Sequence, residues 1–73
     1  MDAATLKRAT EVERSGTTQG LYKAAKRLKS SGKNQRVLQV SEKDMSKAAE
    51  AMKKAKVRGT GKNMQGSKRR FVP

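Results

Sequence analysis

The chain has no cysteine, no histidine and no tryptophan, and only one proline, one phenylalanine and one tyrosine. Without cysteine there is no disulfide, no thiolate nucleophile and no sulfur ligand for a metal, a pattern that fits a reducing compartment. Without histidine, the side chain that ordinarily titrates near neutral pH is missing, and so is the commonest zinc ligand. Acid is scarce as well: six Asp and Glu stand against 19 Lys and Arg, a net charge of +13 in 73 residues. No apolar run approaches the roughly 20 residues that cross a bilayer, and the first residues lack the apolar stretch of a secretory leader. These absences predict a soluble protein of the cytoplasm with no membrane partner.

A chain of this length folds as one domain and buries only about 60% of its unfolded surface. Its apolar third is mostly Ala, Val, Leu and Met, so the core must be small. The stretch Val37 to Val57 is the best organised. Val37, Leu38 and Val40 suit a short strand, Ser41 with Asp44 forms a capping box, and Val40 with Met45 a hydrophobic staple. Met45, Ala48, Met52 and Ala55 then recur at spacings of three and four, with Lys43, Lys47 and Lys54 on another face. Glu42 and Asp44 near the start, and Lys53, Lys54 and Lys56 near the end, agree with the helix dipole.

A second helix is expected over Leu21 to Ser31, with Leu21, Ala24, Ala25 and Leu28 as its apolar face and Gly32 as a left-handed terminator. Ahead of it, Ala3, Leu6, Ala9 and Val12 fall at steps of three, which gives a weakly amphipathic helix over 4–14 or, as the alternative, a frayed arm. After Val57 the glycines at 59, 61 and 66 suggest an adaptable tail. A short extended segment at 70–72 would give the strand at 36–40 a partner. The expected fold is thus small α+β and mostly helical, with helices near 20–31 and 42–56. Residues 1–19 form an arm or weak helix, 20–57 a compact core, and 58–73 a basic flexible tail.

The carboxylates have structural uses as helix caps and helix-spaced partners of lysine, and none has a second catalytic group beside it. The Gly59 to Lys62 stretch lacks the spacing of a phosphate-binding loop. No enzyme, cofactor or metal site is predicted. The basic residues carry more information: between residues 21 and 40 there are six cations and no acid. Lys23, Lys26, Arg27, Lys29, Lys33 and Arg36 are expected to meet nucleic acid or an acidic protein surface. A second cluster, Lys68, Arg69 and Arg70, adjoins Phe71, an aromatic suited to stacking on a base or filling an apolar notch. Val37, Leu38 and Phe71 are the expected protein-docking residues. No RNA-binding signature, zinc-finger spacing, basic zipper or helix-turn-helix is present.

In size, charge and lack of cysteine the chain resembles the small basic regulators with which lytic bacteriophages redirect host RNA polymerase, those of the Xanthomonas phage antitermination type among them. The resemblance covers the chain as a whole and rests on no single motif. It implies docking on a large subunit of host RNA polymerase near the RNA exit, interference with initiation and suppression of termination; the protein itself is expected to be non-catalytic, monomeric when free and located in the host cytoplasm. The alternatives are a structural RNA-binding component of a ribonucleoprotein and a non-specific DNA-binding protein.

Overall fold

The computed structural model describes residues 3–4 and 7–73. In chain order these form β1 (Ala3–Ala4), β2 (Arg8–Val12), α1 (Thr18–Ser30), β3 (Gln35–Val40), α2 (Met45–Lys54), β4 (Gly59–Asn63) and β5 (Arg69–Val72). The strands make one sheet in the order β1-β2-β3-β4-β5. Its centre, β2, β3 and β4, is parallel and is built from two consecutive strand-helix-strand units. Each end is closed by an antiparallel neighbour. Parallel crossovers are right-handed, so two units progressing in one direction place both helices on one side. Accordingly α1 and α2 pack against each other and against the same face of the sheet.

The helices form where their apolar stripes predict. Thr17 caps α1 by accepting from the Gly20 amide at 3.0 Å, and Leu21, Ala24, Ala25 and Leu28 are fully buried. Gly32 ends the helix region at φ +73. On α2, Ala48, Ala49, Ala51 and Met52 are buried, with Met45 packed at the margin. Leu38 and Val40 of β3, Val57, and Val72 of β5 complete the core. Each large aliphatic side chain buried there contributes on the order of 1.5–3 kcal/mol.

Four expectations need correction. The fold is not mostly helical, because residues 8–12 are a strand where a helix over 4–14 was expected; residues 5 and 6 of that span lie outside the described residues. Ala9 and Glu11 turn inward while Arg8, Thr10 and Val12 turn away, a period of two. It went unseen because one of the two inward side chains is a carboxylate. Second, the tail is not flexible: residues 59–72 form a hairpin, and β4, not β5, pairs with β3.

Gly59 at the start of this hairpin serves close approach. A Cβ on Gly59 would come within 2.3 Å of the Arg36 carbonyl oxygen and 3.0 Å of Met52 Cε. Asn63, fully buried, holds the turn by donating to Ser67 Oγ at 3.0 Å and accepting from the Lys68 amide at 3.2 Å.

Third, the capping box at Ser41 does not form. Glu42–Asp44 make a 3-10 turn, in which the Asp44 amide donates to the Ser41 carbonyl at 2.8 Å, and the Ser41 hydroxyl makes no cap. The second helix therefore starts at Met45 instead of 42, and Asp44 is buried against Gly16. Fourth, Leu38 is fully buried and cannot dock a partner; alternation along β3 sends it to the core and leaves Val37 on the other side.

Candidate nucleic-acid interface

Because both helices lie on one side, the sheet has a second face that no element covers among the described residues. Register fixes which side chains share it. Thr10, Val37, Thr60 and Phe71 form one row across four strands, and Val12, Gln39, Lys62 and Arg69 form the next. Arg8 and Gln35 extend the face beyond the first row, with Arg8 Nε donating to Gln35 Oε1 at 3.3 Å. Rows two residues apart along a strand lie about 6.5–7 Å from each other, and neighbours within a row about 4.8 Å. Lys62 and Arg69 are therefore adjacent cations one row from Phe71.

Phe71 is 86% exposed, and it is the large apolar side chain that the fold leaves in solvent among the described residues. Beside it runs a groove of about 840 Å³ whose cations are Arg8, Arg58, Lys62 and Arg69; Arg36 borders it, but its pairing with Ala9 turns its side chain toward the helices. Val37 and Thr60 line it; no Asp or Glu does. Such a surface offers an aromatic ring face, forked guanidinium donors and positive potential.

The expected cationic site is divided by the fold. Lys23, Lys26 and Lys29 project from the outer side of α1, away from the sheet, and Lys26 Nζ sits 5.6 Å from the Tyr22 ring centroid. Arg27 is engaged: its Nε donates to Glu11 Oε1 at 2.8 Å, where the Glu11 side chain is only 2% exposed. Lys33 is half-buried after Gly32, its amide donating to Ser31 Oγ. Arg36, the second residue of β3, is half-buried, with its Nε enclosed and without a partner among the described residues.

In the terminal cluster, alternation along β5 separates neighbours. Arg69 and Phe71 join the open face, whereas Arg70 turns the other way and donates to Ser46 Oγ at 3.3 Å. Lys68 pairs with Glu42 at 2.8 Å. Lys68 and Asn63, donating to Glu42, hold its carboxyl below the ordinary carboxylate range. Sequence reasoning missed Arg8, Arg58 and Lys62. The available signal was the alternation of β2 and β4, masked by Glu11 in the first and by glycines in the second. No family model, curated protein or solved structure matches the chain.

Proposed function

We propose that the protein is a non-catalytic nucleic-acid-binding protein whose open sheet face takes an unpaired strand. The observation that carries this reading is Phe71, 86% exposed on the rim of a groove that holds Arg8, Arg58, Lys62 and Arg69 and no Asp or Glu. A duplex keeps its base faces stacked inside, so among nucleic acids an aromatic ring in solvent can stack only on a base that is unpaired. Stacking of one base on an aromatic ring is worth about 1–3 kcal/mol, which makes Phe71 the residue to test. Phe71→Ala should weaken binding of a labelled single-stranded RNA about 5- to 150-fold by fluorescence anisotropy, with the fold intact by circular dichroism. Binding equal to the parent chain would remove the support for a stacking platform.

The machine on which such a binder acts is a separate proposal. The resemblance to phage regulators implies host RNA polymerase, and with Leu38 in the core and Val37 only 8% exposed, Phe71 is the docking residue that remains in solvent. A pull-down from nuclease-treated bacterial lysate, washed at roughly 0.5 M salt to strip purely electrostatic contacts, should retain polymerase subunits on the parent chain and fewer on Phe71→Ala. Retention of no polymerase leaves the nucleic-acid reading alone.

A further inference from the structure

The side of the molecule opposite the sheet face is also basic, and its chemistry is different. Lys23, Lys26 and Lys29 of α1 and Lys47, Lys53 and Lys54 of α2 are all exposed on the helix layer. A groove between the two helices is lined by Tyr22, Lys47, Lys53 and Lys54, with Glu50 as its one acid. The sheet face presents mostly arginine with an aromatic ring, whereas the free cations of the helix layer are lysines, Arg27 being held by Glu11.

That contrast selects the occupant. Lysine is a compact charge on a flexible stem, suited to phosphates at variable positions, and it lacks the planar fork that matches bases or stacks on them. Tyr22 is half-buried with Lys26 above its ring, so the layer offers no free aromatic face to an unpaired base. A duplex presents the denser charge, one phosphate per about 1.7 Å of axis, and rewards each ammonium with the larger counterion release. The shortest Cα extent of the molecule is 21 Å, more than twice the Debye length of about 8 Å at physiological ionic strength. Polyanions on opposite sides are therefore largely screened from each other.

We propose that the helix layer is a second, independent surface for the phosphate backbone of a nucleic-acid duplex, so that one chain holds an unpaired strand on its sheet and a duplex on its helices. The two-segment part rests on the reading of the sheet face; the duplex surface does not.

The test uses the full chain, a donor-labelled single strand of about ten nucleotides and an acceptor-labelled duplex. Energy transfer should appear on adding protein, and excess unlabelled single strand should leave the duplex bound. The variant Lys26→Gln, Lys47→Gln, Lys54→Gln should lose at least tenfold in duplex affinity at 0.15 M salt and lower the duplex log–log salt slope by about 2.5, with single-strand affinity within about threefold of the parent. Glutamine keeps helix propensity, and a thermal melt confirms that the variant folds. One-for-one displacement of duplex by single strand, or equal losses on both ligands, overturns the proposal. Phe71→Ala should leave duplex affinity unchanged, and a loss there overturns it too. If that variant instead keeps its single strand, the sheet reading fails while the helix surface stands.

Discussion

Glu42 lies 26 residues from Lys68 in sequence and 2.8 Å from it in space, so its carboxylate pins the β4–β5 hairpin to the turn before α2. The Lys68 ammonium, then Asn63, lower its pKa from the ordinary 4.5. Glu13 is lowered as well, first by the Ser15 amide that donates to it at 3.0 Å. A carboxylate whose folded pKa lies below its unfolded value adds stability that is fully present above the unfolded value and is lost as pH falls through the folded one. The melting temperature should therefore hold from pH 7 down to about 5 and then decline below about 4.5. The double variant Glu13→Gln, Glu42→Gln should decline less steeply over that range, and an identical acid profile would count against both contacts. Neither interaction was legible in the sequence, where Glu42 reads as a helix-dipole residue. Arg27 shows the same limit: on its helix it looks like one of four free cations, and only the fold of β2 brings Glu11 beneath it.

The two helices were legible because their apolar stripes repeat at the helical period within a single element, and every predicted inward residue of Leu21 to Leu28 is buried. The strands were not. In β2 one of the two inward positions is Glu11, and in β4 the strand is Gly-Thr-Gly-Lys-Asn, so neither carries the apolar alternation that identifies a strand. The end of α2 illustrates how local chemistry and fold meet. Lys56 adopts φ +58, the Lys56 amide donates to the Lys53 carbonyl, and the Val57 amide donates to the Met52 carbonyl at 2.8 Å. This is a Schellman termination with lysine where glycine is usual, and Val57 enters the core directly after it. A side chain in this left-handed region costs roughly 1–2 kcal/mol, part of which glycine returns through its freer unfolded state. Lys56→Gly should raise stability by about 0.5–1 kcal/mol in urea unfolding. A loss instead would show that the lysine charge at the helix C-terminus outweighs the backbone strain.

At the scale of the whole molecule, folding gathers 19 cations and six anions into a body with a Cα radius of gyration of 10.4 Å, against about 26 Å for an unfolded chain of this length. Like-charged pairs outnumber opposite ones, so compaction raises the electrostatic energy, and a core made largely of alanine and a few Leu, Val and Met has a thin margin to offset it. The range of that repulsion is set by salt. At 0.01 M the Debye length of about 30 Å exceeds the 29 Å longest Cα extent, so every charge acts on every other, whereas at 0.15 M only near neighbours do. Exposed ion pairs such as Lys68–Glu42 weaken on the same change, but they are few among the described residues. The melting temperature should therefore rise by about 5 °C or more between 0.01 M and 0.15 M KCl, the shift that roughly 1 kcal/mol produces in a domain of this size. Nucleic acid should do the same at low salt by neutralising the charge directly, and the two effects should not add, because screening removes the repulsion that binding would otherwise relieve. A melting temperature that falls with salt would place the stability in specific ion pairs, and the basic faces would then be part of the scaffold instead of surfaces left free for a polyanion.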